Sequence, residues 1–257
     1  MRDVKLALRQ VWYINLAFFR NPASMFFTFV FPLMFLVIFS VLFGNGQVRV
    51  SPTQTVRVAT FYVPAIAVFS VITACYTNIA MSLTFSRDEG VLKRIHGSPL
   101  AVWSYMSARI VHAIAIAIVL VVLCGAFGAV FYGATLPTTT LPAFALTLIV
   151  GAATFCALGV AVTSAIPNAD ASPAVVNGTI LPLLFISNVF IPLQNPPQWL
   201  DIVGKIFPVR HFADALIGSY FQLSGSGLHT NDLLMLAAWG LGGVIVGARF
   251  FQWEPRV

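Results

Sequence analysis

Five of the chain's 22 charged side chains (14 Lys or Arg plus 8 Asp or Glu) fall within the eight residues from Arg87 to Arg94. Arg87, Asp88 and Glu89 precede Gly90; Lys93 and Arg94 follow Val91 and Leu92, and Ile95 comes next. Charges of both signs around a small apolar ridge suit register-setting contact with another protein. Catalysis has little to work with elsewhere. His112 stands three residues after Arg109, and a lone histidine near a helix end is more often satisfied structure than a catalyst. Cys75, Cys124 and Cys156 each lie inside an apolar run, without metal-ligand or disulfide spacing. Gly204-Lys205 is followed by Ile206 and lacks the glycine spacing with which backbone amides cradle phosphate. Leu223-Ser-Gly-Ser-Gly227 reads as a flexible turn. Any nucleotide chemistry therefore belongs to a different polypeptide.

The elements that must position the charged stretch are membrane helices. The chain is 59% hydrophobic and 9% charged, with a mean hydropathy of +0.90, and several apolar runs reach the ~20 residues that cross a bilayer. A β-barrel would alternate apolar and polar residues, whereas residues 110–122 are apolar at nearly every position. The reading is an all-α membrane protein, one domain over residues 1–257, with six transmembrane helices at 25–43, 61–85, 110–132, 141–166, 174–193 and 233–251. Punctuation marks their ends: Gly44-Asn45-Gly46, Pro137, Pro167-Asn168 and Pro192. The first run is taken as a retained span and not a signal peptide.

Residues 1–21 read as an amphipathic interfacial helix. Arg2, Lys5, Arg9 and Arg20 fall near one face and Val4, Leu8, Val11 and Phe18 on another, and Asn21-Pro22 turns the chain into the bilayer. With the N-terminus inside, ten of the 14 Lys and Arg residues lie on the cytoplasmic side, leaving Arg49, Arg57, Lys205 and Arg210 outside. Both termini are then cytoplasmic. The net charge of +6 is accounted for by topology and anionic headgroups without nucleic acid. Residues 194–231 form an outer segment in which Pro208 separates two apolar stretches too short to span. Two re-entrant helices fit, with Lys205, Arg210, His211 and Asp214 near the water boundary; a surface loop packed on the bundle is the alternative.

The cytoplasmic loop at 86–109 carries the charged stretch. Gly90 frees the backbone where the second span ends, Val91, Leu92 and Ile95 form a ridge on a short helix, and Gly97 with Pro99 ends it. From Arg87 to Leu100 the chain resembles the permease subunits of type-2 ATP-binding-cassette exporters, of the daunorubicin-resistance-like and nodulation-like branch. That family has an acidic-and-basic cluster before Gly, a Leu-Lys-Arg-like core and a Ser/Thr-Pro-Leu turn, here Ser98-Pro99-Leu100. The likeness extends to the basic N-terminal helix, Arg20-Asn21-Pro22, the six spans and the Pro-rich outer segment. Ser86 departs from it, because many relatives carry a charge at that position.

The resemblance implies a bacterial cytoplasmic-membrane exporter that is not itself an enzyme. Its coupling helix would insert into a separate ATPase subunit, present in two copies and holding ATP and Mg. Arg87, Asp88, Glu89, Gly90, Val91, Leu92, Lys93, Arg94, Ile95, Ser98 and Pro99 are the expected coupling residues. A second permease subunit, most simply a homodimer, would complete a route between spans one, two and five. Phe31, Phe35 and Phe39 of span one and Phe185, Asn188 and Phe190 of span five are its expected lining, suited to a drug, antibiotic or lipid-like cargo. Gly243 and Gly247 in the last span read as a close-packing pair. A polysaccharide or lipid-linked glycan exporter is the alternative of the same architecture. A membrane-embedded enzyme or an ion-coupled carrier is disfavoured because the spans hold no chain of Asp, Glu or His. Sodium coupling is excluded less strongly, since Pro32, Pro64 and Pro182 could break helices and free carbonyls.

Overall fold

The computed structural model describes residues 2–44, 46–51, 54–98, 101–192 and 196–254. Among them the chain is mostly helical, and five helices are long and apolar enough to cross a membrane: Pro22–Phe43, Val58–Asp88, Val102–Tyr132, Leu141–Val162 and Thr230–Phe250.

The entry to the bilayer follows from two residues. Helix α1 (Arg2–Phe19) ends before Asn21, whose Oδ1 accepts the Ser24 N–H at 3.1 Å and caps α2 (Pro22–Met25), with Pro22 in its first turn. Leu8, Trp12, Leu16 and Phe19 of α1 remain exposed, while Phe18 is buried and α1 lies along α7 (Val102–Tyr132). Leu8 therefore leaves the face it was expected to share with Phe18. An exposed apolar strip of this kind suits the headgroup layer. Pro32 has no N–H for the carbonyl of Thr28, and its ring crowds that carbonyl. A π turn at Phe26–Val30 absorbs the mismatch before α3 (Phe31–Phe43) continues the crossing.

A hairpin follows, β1 (Gln47–Ser51) against β2 (Gln54–Arg57), antiparallel with Val48 opposite Val56. This corrects the all-α expectation locally. Val48, Val50 and Val56 alternate with polar residues at period two, which places Val48 against the bundle and Arg49 outside.

The second crossing is the central element. Helices α4 (Val58–Ile72) and α5 (Asn78–Asp88) are joined by a second π turn, Thr73–Thr77, into one continuous helix. In its most apolar 18-residue window 89% of residues are buried, against 17% in the first crossing. Helix α6 (Val91–His96) follows α5, and α8 (Leu141–Val162) and α12 (Thr230–Phe250) pair most extensively. Gly243 permits that pairing, because a Cβ there would stand 3.0 Å from the backbone of Ala157 and Leu158.

The fifth expected span is realised as α9 (Ser172–Phe185), only 14 residues long. Pro182 lies inside its last turn, and the chain from 186 to 191 is turns and bends, with Asn188 at φ 65°. Leu193, the expected end of that span, lies outside the described residues, as do Asn45, Pro99 and Leu100. Two short helices come next, α10 (Gln198–Ile206) and α11 (Pro208–Tyr220), divided at Pro208 as expected. Helix α11 is no surface loop: Val209, Phe212, Ala213 and Leu216 are fully buried, and it packs on α4, α8 and α12.

Candidate functional site: a charged turn and an aromatic seam

At the end of α5 the helical period decides which charge faces where. Ala80, Leu83, Thr84 and Arg87 follow at steps of three, one and three, and all four are buried. Arg87, 2% exposed, donates from Nη1 to the Thr163 carbonyl at 3.2 Å, and from Nη2 to the carbonyls of Ile166 at 2.9 Å and Pro167 at 3.1 Å. These acceptors lie just past the end of α8, where helix carbonyls lose their partners and the dipole favours a cation. Its Nε meets Asp88 Oδ1 at 3.2 Å, and Asp88 Oδ2 accepts the Ala169 N–H at 2.5 Å. Arg87 and Asp88 therefore tie α5 to the segment between α8 and α9. Arg87 thus does not face outward, and Asp88 is only partly exposed.

Gly90 then turns the chain at φ 70°, the left-handed conformation that glycine adopts without penalty. Beyond it, Leu92 is fully buried and Val91 and Ile95 are half-buried, so the expected ridge splits. Leu92 anchors α6 to the bundle and leaves the outward face to Glu89, Lys93, Arg94, His96, Gly97 and Ser98. Arg94 folds back on its own turn, its Nη2 donating to the Glu89 carbonyl at 3.4 Å, and Ser98 Oγ donates to the Ile95 carbonyl at 2.7 Å. Pro99, the remaining expected coupling residue, lies outside the described residues. Ser86, where the family pattern departs, accepts a hydrogen bond from Arg109 Nη2 at 2.8 Å.

Two neighbours of this surface carried little sequence signal. Lys93 Nζ pairs with Glu254 at 3.3 Å, and the His96 ring lies 5.3 Å from that of Trp253. The segment after α12 thus reaches across α6. His112 Nδ1 is 3.0 Å from Asn15 Oδ1, which fastens α1 to α7.

The expected lining aromatics converge on one ring. Phe190 lies 5.8 Å from both Phe35 and Phe39 and 5.1 Å from Phe185, while Phe31 joins through Phe35 at 4.8 Å. Phe31, Phe35 and Phe39 stand four residues apart on one helix face, which is why they meet the same partner. Two members escaped the sequence reading. Phe69 is 5.3 Å from Phe190, and Tyr62 stacks on Phe39 at 5.0 Å while its hydroxyl donates to the Phe190 carbonyl at 3.0 Å. Their seven-residue separation on α4 placed them on one face and was the available signal.

Asn188 does not join the seam. Its left-handed backbone points Nδ2 towards Asp214 Oδ1 at 3.4 Å. Asp214 also binds Arg210 Nε at 2.7 Å, and Arg210 is 8% exposed. Burial pushes the Asp214 carboxyl above the usual carboxylate range, with Arg210 and Asn188 pulling the other way. Beside this pair, His211 Nδ1 meets Asp232 Oδ1 at 2.7 Å. Thus the His211–Asp232 contact ties α11 to the start of α12, and Arg210 Nη2 approaches Asp201 of α10 at 3.9 Å. Among the described residues no group of three His, Cys, Asp or Glu could hold a metal.

Comparison with known proteins agrees with this architecture. The chain is 29% identical over 227 residues to the transport permease ycf38 of Cyanophora paradoxa, covering 86% of this chain and 76% of that protein. To the daunorubicin resistance ABC transporter permease protein DrrB1 of Streptomyces coeruleorubidus it is 28% identical over 226 residues, 82% of this chain and 74% of the relative. To the multidrug ABC transporter permease YbhR of Escherichia coli K12 it is 24% identical over 178 residues, 67% and 47% of the two chains. Residues 8–221 match the family described as ABC-2 type transporter. With the long apolar helices, that match over most of its length makes this chain an integral membrane member of the ABC-2 type transporter family.

Proposed function

We propose that the chain is the permease subunit of an ATP-binding-cassette exporter that carries a hydrophobic or amphipathic molecule out across the bacterial cytoplasmic membrane. A separate ATPase, in two copies, binds ATP and Mg and supplies the work; this chain contributes no catalytic group. A second permease subunit, most simply another copy, faces the first crossing, whose Val41, Leu42 and Phe43 are exposed. Both termini lie on the cytoplasmic side with α6. The fifth crossing is made by α9 together with the turns after it, and α10 and α11 re-enter from outside. The names of the Streptomyces and Escherichia relatives favour a drug-like cargo over a glycan.

The observation that carries this reading is the mechanical continuity behind α6. Leu92 fixes α6 to the bundle, and Arg87 with Asp88 fixes the same point to the α8–α9 segment. A push on the exposed face of α6 therefore reaches the buried central helix and the base of α9 together. At the far end of α9, Phe185 and Phe190 close on Phe35, Phe39 and Phe69. Displacing α9 against the first two crossings parts this seam, and ring-on-ring packing lets it reseal.

Co-purification with a candidate ATP-binding-cassette ATPase subunit tests the coupling. Arg94→Glu combined with Ile95→Glu is expected to reduce association at least about tenfold, a change of about 1.4 kcal/mol, while leaving the permease inserted. Undiminished association would remove α6 as the docking element.

A further inference from the structure

The two π turns open onto the same cavity. A cleft of about 450 Å³ lies between the first crossing, the second crossing and α7, and its lining includes Phe27 and Thr28 from one π turn and Thr73, Ala74 and Thr77 from the other. Such turns are rare and concentrate at functional positions. A second cleft of about 290 Å³ shares Ser24, Asn78 and Ser82 with the first and runs to Arg109 and His112 beneath α1. Together they form a passage from the interfacial helix into the depth of the bundle, separate from the Phe190 seam.

Hydroxyls elsewhere in the membrane helices are satisfied locally. Ser70, Thr84 and Thr147 each donate to the carbonyl four residues back, at 2.8–2.9 Å, as does Thr73 at the first position of its π turn, at 2.9 Å. By contrast, the side chains of Thr28, Thr77 and Asn78 make no hydrogen bond among the described residues. Thr28 stands at the third position of its π turn and Thr77 at the last, and both line the cleft. Asn78 stands ten residues before Asp88, about 15 Å along the helix, so its amide sits well inside the apolar layer. Polar groups at such depth point to a ligand path. The larger cleft carries no charged side chain among the described residues; its surface is apolar, with the hydroxyls and one amide set into it.

We propose that this cleft is a binding site for an uncharged amphiphile that bears a hydroxyl or amide group. Its apolar body lies against Phe27, Met81 and Phe85, and its polar group is held by Thr28, Thr77 and Asn78. The site receives the molecule from the leaflet in which α1 lies, past Ser24 and Ser82. As the entry point of exported cargo it rests on the exporter reading, but binding itself requires neither ATPase nor transport.

The test uses the full-length permease alone in phosphatidylcholine nanodiscs, with NBD-labelled diacylglycerol as the uncharged probe and NBD-labelled phosphatidic acid as its anionic counterpart. Saturable binding of the diacylglycerol is expected. Thr77→Val with Asn78→Leu should weaken it about tenfold, equivalent to losing one or two hydrogen bonds, and Thr28→Val on the facing helix should weaken it in the same direction. Because these side chains make no hydrogen bond among the described residues, melting temperatures should change little. Non-saturable uptake, unchanged affinity in the Thr28→Val variant, or equal affinity for the anionic probe would overturn the proposal. If binding behaves as expected while ATPase association fails, the site stands and the exporter reading falls; the reverse result removes only the site.

Discussion

Arg87 and Arg94 are seven residues apart and flank the same glycine, yet they do opposite things. The first is sealed in the bundle with three carbonyls and a carboxylate around its guanidinium; the second lies on the surface against its own turn. What separates them is Gly90, which breaks the helical phase so that Arg87 belongs to the buried face of α5 and Arg94 to the outer face of α6. One charge cluster in sequence is thus two devices in space. Substitutions on the inner side should cost folding, and those on the outer side should cost only the partner.

The inner side should be the most sensitive. Arg87→Ala leaves the carbonyls past α8 and the Asp88 carboxylate without a buried partner, and breaking such a pair costs about 3–5 kcal/mol. Loss of the purified, detergent-stable permease is expected, visible in expression and in thermal unfolding. Arg87→Lys should recover only part of this, because an ammonium is a single point and cannot reach three carbonyls set in a fork. Equal stability of Arg87→Ala and Arg94→Ala would erase the distinction between the two sides.

Leu92 and Ile95 sharpen it among apolar residues. Truncating the fully buried Leu92 to alanine should cost about 2–5 kcal/mol, and the half-buried Ile95 noticeably less. A docking test made at Leu92 would confuse unfolding with lost association far more than one at Ile95. Gly90→Ala is milder again. Nothing crowds the added methyl, so the cost is the left-handed backbone alone, about 1–2 kcal/mol. Urea or thermal unfolding of the three variants should rank them in that order.

These residues also show what could be read in one dimension. The apolar runs, the turn at Asn21-Pro22, the break at Pro208 and the Phe31, Phe35 and Phe39 stripe all follow from short-range spacing, and the structure keeps them. Arg87 has charged neighbours in sequence, whereas its neighbours on the helix, Ala80, Leu83 and Thr84, are buried; periodicity outranks composition there. The hairpin at 47–57 was passed over because two short strands between long apolar runs look like a loop. Contacts made by distant segments, such as Thr163, Ile166 and Pro167 around Arg87 or Glu254 against Lys93, leave no local pattern. The helical length of the fifth crossing depended on how Pro182 and the turns after it would resolve, which spacing alone does not decide.

The smallest effect on stability, and the finest discrimination, should come from Lys93 and Glu254. Both side chains are about two-thirds exposed, at 64% and 66%, so their ion pair should contribute no more than about 1 kcal/mol. Lys93→Glu should leave unfolding unchanged while setting two carboxylates side by side and loosening the 251–254 segment from α6. Adding Glu254→Lys restores the pair with its polarity reversed. If the ATPase reads only a correctly placed C-terminal segment, the double variant should regain association that the single variant loses. If it reads the cation on α6, both variants should bind equally poorly, because the charge offered by residue 93 is reversed in each. Salt separates the cases further: a contact made through Lys93 weakens between low and physiological ionic strength, while one made through Trp253 packed near His96 does not. The outer device would then be assigned either to α6 alone or to α6 and the segment lying across it.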